Sequence, residues 1–221
     1  MTIAAIQTQH NGVRFRSRLE ARWAVFFDAL GIKYSYEAEG YCLPSGNYLP
    51  DFYIPNQTWF QHNDNGLFVE IKGVATNKSH DLLDELALHT GVDCVMLGEL
   101  PYGDSIYREP PENTFTPALD KEWSIATRCK RHSEGCKYWD DNSDCGCPFF
   151  AGSDHPYAWC ECPFCKKFGF EFDGRSARIG CGCEGHATIR NGDKTYNSGS
   201  FMLLNAYQKA RSERFEDWRA A

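Results

Sequence analysis

Apolar positions in the first third of the chain recur at helical spacing and then change to alternation. In "FRSRLEARWAVFFDALGI", Leu19, Trp23, Phe26, Phe27 and Leu30 share one stripe, and Gly31 stands where a helix would stop. An amphipathic helix is predicted there. "KYSYEAEG" then alternates tyrosines with polar residues, "YLPDFYI" reads as a second strand and "LFVEIKG" as a third. "SHDLLDELALHTG" returns to helical spacing between a polar start and a glycine stop, and "VDCVMLGEL" is an apolar strand. The order is α-β-β-β-α-β, an α/β core with a mixed sheet, complete by about residue 112.

A chain of 221 residues is longer than one typical domain, so a second module is expected after this core. "PYGDSIYREPPENTFTPALDKEW" is rich in proline and turn formers, which places a boundary near Asn113 and a linker or arm over 113–128. Residues 129–195 form a cysteine-rich region. The segment 196–221 predicts a C-terminal helix, with Met202, Leu203, Ala206, Tyr207, Ala210 and Phe215 on one stripe and Lys209, Arg211 and Arg214 beside it. Docking onto the preceding modules is the expected use of that stripe. No segment has the length and apolarity of a membrane span, and the N-terminus turns polar almost at once, so a soluble, cytoplasmic protein with no membrane partner is expected.

Candidate chemistry enters where the strands carry charge. Asp51 opens the strand "YLPDFYI", and Glu70 and Lys72 lie two residues apart in "LFVEIKG". Side chains alternate along a strand, so Glu70 and Lys72 face one way and Ile71 the other. Two carboxylates and an amine then converge on one sheet edge. Mg²⁺ takes oxygen ligands, keeps several waters and is commonly held by one or two carboxylates plus substrate phosphate oxygens. Asp51 and Glu70 suit that role, and Lys72 suits lowering the pKa of an attacking water or neutralising charge in a transition state. The structural alternative is a Pro-Asp turn followed by a half-buried strand whose charges face water.

These residues resemble the PD-(D/E)XK nuclease superfamily, with its restriction endonuclease-like fold: Pro50-Asp51 matches the PD element and Glu70-Ile71-Lys72 the ExK element. The superfamily's minimal core has the same α-β-β-β-α-β order. The resemblance implies a Mg²⁺-dependent (or Mn²⁺-dependent) DNA endonuclease in which Asp51 and Glu70 bind metal and Lys72 assists the nucleophilic water. It also implies a role for Glu20, since many members add an acid from the first helix. Glu20 is one step from Leu19 and borders the buried face; its alternative is a solvated glutamate paired with Arg16, or with Arg14 and Arg18. Arg14, Arg16, Arg18 and Arg22 become candidates for phosphate contacts, Arg16 and Arg18 foremost.

The net charge of −7 sets limits on DNA binding. Residues 1–112 carry eight Lys and Arg against fifteen Asp and Glu, whereas 113–221 carry fifteen against fifteen. The acidic excess sits in the candidate catalytic half. That argues against a sequence-blind DNA coater, and leaves room for local basic patches.

Nine of the eleven cysteines fall between Cys129 and Cys183. Cys162-Pro-Phe-Cys165 is a tight knuckle, Cys181-Gly-Cys183 a second pair, and the segment between them alternates around the turn "DGR". Two thiolate pairs on a hairpin complete the tetrahedron that Zn²⁺ accepts. The region 160–186 thus looks like a zinc ribbon, with the fourth ligand open among Cys183, His186 and Cys160. The odd cysteine count and absent secretion signal favour metal over disulfides. Cys129, His132, Cys136, Cys145 and Cys147 have the residue types for a second zinc, or for buried thiols, and His155 could join either site. Lys166, Lys167, Arg175 and Arg178, with Arg190, interleave with Phe168, Phe170 and Phe172, which suits nucleic acid or simply a hairpin's buried face.

The layout of nuclease core, cysteine knuckles and basic terminal helix looks like phage and mobile-element proteins, with roles in DNA processing, recombination or restriction and with the host cytoplasm as location. A homodimer is one arrangement open to such an enzyme. Two other readings stay open: a noncatalytic zinc-dependent DNA-binding or adaptor protein on a degenerate nuclease fold, and an RNA-directed nuclease.

Overall fold

The computed structural model describes residues 6–55, 66–73, 76–100, 125–126, 157–162, 164–172 and 200–215. A short antiparallel hairpin comes first, β1 (Thr8–His10) with β2 (Val13–Phe15). It leads into α1 (Arg18–Ala29), whose start is capped by Ser17, the hydroxyl accepting from the Glu20 N–H at 3.1 Å. The helix stops as expected: Leu30 is the C-cap and Gly31 takes the left-handed conformation at φ +67°.

Next come β3 (Ser35–Tyr36), the hairpin β4 (Tyr41–Leu43) and β5 (Gly46–Tyr48), then β6 (Phe52–Ile54) and β7 (Leu67–Ile71). Helix α2 (Asn77–Thr90) begins two residues before the sequence pattern, at a capping box between Thr76 and Ser79, and ends at Gly91. It is followed by β8 (Asp93–Leu97) and β9 (Ile125–Ala126). The β4–β5 hairpin interrupts the expected α-β-β-β-α-β order without changing it. Ser45 at its turn bonds Glu85 of α2 through both backbone N–H (2.9 Å) and hydroxyl (2.6 Å).

One mixed sheet runs in the order β3-β6-β7-β8-β9. β7 and β8 are parallel across α2, as a helical crossover requires, and the other neighbours are antiparallel. β7 is buried along its whole length. Gly66 precedes it at φ +87°, where a side chain would strike the Tyr53 ring at 2.7 Å and the Ile54 carbonyl at 2.8 Å. Phe52, Ile54, Val69 and Ile71 pack on one side with α1, while Phe68, Cys94 and Met96 pack on the other with Leu83 and Leu86 of α2. The architecture is α/β, with helices on both faces of the sheet. Among the described residues, no helix is long and apolar enough to cross a membrane.

The α1 side also receives the C-terminal half. Strands β10 (Tyr157–Glu161) and β11 (Phe168–Phe172) form an antiparallel hairpin, and α3 (Phe201–Ser212) follows. Trp159 of β10 is 1% exposed, with its ring centroid 5.9 Å from that of Phe26 and 5.5 Å from that of Phe27. Tyr207 of α3 stacks on Phe26 at 4.4 Å. Leu203, Ala206, Tyr207 and Ala210 are buried as the stripe predicted. Met202 is a correction: it is about half exposed, because at 100° per residue it lies roughly 90° around the helix from the centre of the stripe made by Leu203, Ala206, Tyr207 and Ala210. Of the proposed 113–128 arm, Ile125 and Ala126 pair with β8 as the sheet's edge strand. The remainder of that arm, the cluster Cys129, His132, Cys136, Cys145 and Cys147, and Cys181, Cys183, Arg175 and Arg178 lie outside the described residues.

Because Trp159 is embedded in the same apolar cluster as α1, the hairpin and the sheet should unfold together. Trp159→Ala is expected to cost roughly 3–5 kcal/mol, read by urea denaturation as an earlier midpoint of the main far-UV transition. An unmoved main transition would mean that the hairpin folds as an independent unit.

Candidate active site

Asp51 occupies the bend before β6, Glu70 lies in β7, and Lys72 follows the end of β7, where its N–H continues the parallel pairing to the Leu97 carbonyl at 2.9 Å. Phe52 stands opposite Val69, so one step further along the ladder sets Asp51 level with Glu70. Each is two residues from an aromatic of the α2-side cluster, Tyr53 and Phe68 respectively, and alternation puts both acids on that face.

Both acids are 1% exposed, and Glu20, from the first turn of α1, is 6% exposed. A strand whose charges face water, the structural alternative for Glu70, is therefore not what forms. Two cations stand above the acids: the Arg16 side chain is 51% exposed and that of Lys72 36%. Arg16 Nη2 donates to Asp51 Oδ1 at 2.5 Å, and Lys72 Nζ pairs with Glu70 Oε1. The other Asp51 oxygen, Oδ2, accepts from the Ile71 N–H at 2.7 Å. Glu20 Oε2 accepts from the Tyr36 hydroxyl at 2.5 Å and from the Arg16 N–H at 3.1 Å. The sequence motif thus brings Glu20, Asp51, Glu70 and Lys72 into one neighbourhood, with Arg16 among them. Arg18, at the start of α1, is exposed.

Three participants escaped the sequence reading. Tyr36 holds Glu20 in place. Glu37 pairs with Arg16 Nε, and its own N–H donates to the Asp51 carbonyl at 2.9 Å. Tyr48, at the end of β5, buries its hydroxyl against the Glu70 carboxylate; burial, then the Glu70 charge and the hydroxyl's hydrogen bonding toward that carboxylate, push its pKa up. Tyr36 and Tyr48 had been read only as strand residues. Nothing in "YEAEG" signals that Glu37 turns back toward the site at φ +46°.

Among the described residues, four carboxylates (Glu20, Glu37, Asp51, Glu70) against two cations (Arg16, Lys72) leave a formal excess of two negative charges. Burial, then the Glu70 and Glu20 charges, push the Asp51 pKa up to about 7, against the opposing pull of the Ile71 N–H and Lys72. The Arg16 contact also favours the charged form. Burial lowers the Lys72 pKa and the Glu70 carboxylate raises it; the balance is upward, so Lys72 keeps its proton at neutral pH. Among the described residues, one Glu70 oxygen, Oε2, is buried without a hydrogen bond of good geometry, with the Tyr48 hydroxyl beside the carboxylate. All-oxygen donors, two uncompensated charges and a poorly satisfied carboxylate oxygen fit a hard divalent cation shared by Asp51 and Glu70. Among the described residues, however, no three His, Cys, Asp or Glu side chains are gathered as a ready cage, since the carboxylates are turned toward the chain's own donors.

The knuckle lies apart from these acids. The Phe164 and Cys165 N–H groups both point at Cys162 Sγ, each at 3.4 Å, and Lys166 at φ +62° closes the turn. Neither Cys162 nor Cys165 is in a disulfide. Lys166 is paired with Glu161 at 3.3 Å, and Lys167 is exposed. Against protein-family models, curated proteins and solved structures, the chain matches none.

The raised Asp51 pKa gives a pH dependence with a definite sign. In the unfolded chain the group ionises near 3.8 and in the folded metal-free chain near 7. Its stabilising share is therefore complete below pH 4 and lost as pH rises to 7, by a few kcal/mol at most. Urea unfolding in divalent-free buffer should show this decline in the native protein and a flatter profile in Asp51→Asn; parallel profiles would contradict it.

Proposed function

We propose that the protein is a divalent-metal-dependent DNA endonuclease of the PD-(D/E)XK type, with a restriction endonuclease-like core. The observation that carries this reading is the burial of Asp51 and Glu70, level with each other at one end of the neighbouring interior strands β6 and β7, under Arg16 and Lys72. A surface-charged strand has no reason to bury these acids together. When bound there, Mg²⁺ or Mn²⁺ supplies Lewis-acid charge and an ionisable water beside the phosphodiester.

The chain's own residues do the remaining work. Asp51 and Glu70 hold the cation, and the Ile71 N–H and the β6–β7 ladder fix the Asp51 carboxylate. Lys72, protonated and half exposed, acts as a fixed charge that offsets the negative charge growing on the phosphate, rather than as a base. Glu20 orients the site from α1 through Tyr36 and the Arg16 N–H. Cys162 and Cys165 offer half of a tetrahedral Zn²⁺ site whose other ligands are proposed at Cys181 and Cys183. A noncatalytic DNA-binding role is the second reading, favoured by the engagement of all three buried carboxylates by the chain's own donors.

The protein should cut DNA with Mg²⁺ or Mn²⁺ in a panel of duplex, nicked, branched and single-stranded substrates run beside RNA. Lys72→Ala and Asp51→Asn should each lower the rate roughly a hundredfold or more. Cutting that survives both substitutions sinks the assignment; DNA retention with no cutting on any substrate supports the second reading. Separately, elemental analysis of protein purified without chelator should find zinc, and Cys162→Ser should lose it and melt earlier. A zinc-free native protein would remove the ribbon.

A further inference from the structure

Resting on the nuclease reading, we propose that Arg16 is a counter-ion in exchange: it neutralises Asp51 in the metal-free protein and passes to a phosphate oxygen of the nucleic acid once Asp51 takes a metal. Glu37 anchors it through that exchange. The proposal stands on how the guanidinium is held. Its Nη2 donates to Asp51 Oδ1 at 2.5 Å, while Nε pairs with Glu37, so two nitrogens of one planar fork are held by two acids. Asp51 belongs to the candidate metal pair and Glu37 does not.

A cation accepted at Asp51 and a guanidinium on the same carboxylate repel each other, which weakens the Arg16 contact. Arg16 then gives up Asp51. It does not drift away, because the Nε edge stays on Glu37 and the Arg16 backbone is fixed: its N–H donates to Glu20 Oε2 at 3.1 Å and to the Tyr36 hydroxyl at 3.0 Å. Glu37 is itself held in the left-handed region at φ +46°, uncommon for a residue with a side chain, by its N–H bond to the Asp51 carbonyl. The released Nη edge remains beside Asp51, half exposed, where an anion can reach it. A phosphate oxygen presents the geometry that this edge has lost. Metal and nucleic acid should therefore assist each other, each removing the guanidinium from the other's path.

The test uses the full chain with its zinc and titrates Mn²⁺ by electron paramagnetic resonance, without nucleic acid. Arg16→Met, which keeps the length and removes the charge, should bind Mn²⁺ roughly fivefold or more tightly than the native protein, yet cut DNA far more slowly at saturating Mn²⁺. Arg16→Lys, which keeps the charge but not the fork, should bind Mn²⁺ about as the native protein does and still lose cutting. Unchanged or weaker Mn²⁺ binding in Arg16→Met overturns the exchange, as does full cutting activity in that variant. A damaged fold would weaken Mn²⁺ binding in both variants, the opposite of the expected pattern. If the native protein neither binds Mn²⁺ nor cuts, the nuclease reading itself falls; native binding and cutting with no gain in Arg16→Met removes only the exchange.

Discussion

An ionised carboxylate taken out of water is costly unless positive charge or hydrogen-bond donors meet it, and this fold buries three of them in one neighbourhood. Each is answered by the chain's own donors: Asp51 by Arg16 and the Ile71 N–H, Glu70 by Lys72, Glu20 by Tyr36 and the Arg16 N–H. The answer is incomplete. Among the described residues, acids outnumber cations, the Asp51 pKa rises to about 7, and one Glu70 oxygen lacks a hydrogen bond of good geometry. A fold that only needed stability would gain more from apolar residues at these positions. Retaining the acids makes sense where something positive and divalent comes to share them.

Helix α1 makes that arrangement rigid. Its first turn supplies Glu20, and its aromatic side packs against β6 and β7, the strands next to the acids. Trp23 adds a buried bond from its indole N–H to the Gly98 carbonyl, just past β8, at 2.8 Å. The same side takes Trp159 of the knuckle hairpin and Tyr207 of α3. A change at the β10–β11 hairpin is thus one packed layer away from the strands that carry the carboxylates.

Much of this was legible in the sequence because it rests on short periods. Alternation put Glu70 and Lys72 on one side of β7, and helical spacing put Trp23, Phe26 and Phe27 in the core and Glu20 at its border. What escaped has other causes. Glu37 reaches the site through a left-handed backbone turn that no pattern announces, and Tyr36 sits on a strand of two residues, too short for a period. The β4–β5 hairpin is of similar brevity. Met202 matched the stripe of α3 loosely but falls to one side of its buried centre, while Leu203 in the same turn is buried. Trp159, in the short run Tyr157-Ala158-Trp159 ahead of the cysteine knuckle, gave no sign that it belonged to the core formed by α1.

The central claim is that Asp51 and Glu70 share a divalent cation that displaces Arg16. Crystals grown with Mn²⁺ and measured for anomalous scattering test it directly. The account predicts a peak between the Asp51 and Glu70 carboxylates, with Glu70 Oε2 turned toward it and the Arg16 guanidinium withdrawn from Asp51 while still on Glu37. A site without a peak, with Arg16 still bonded to Asp51 at saturating Mn²⁺, would contradict it.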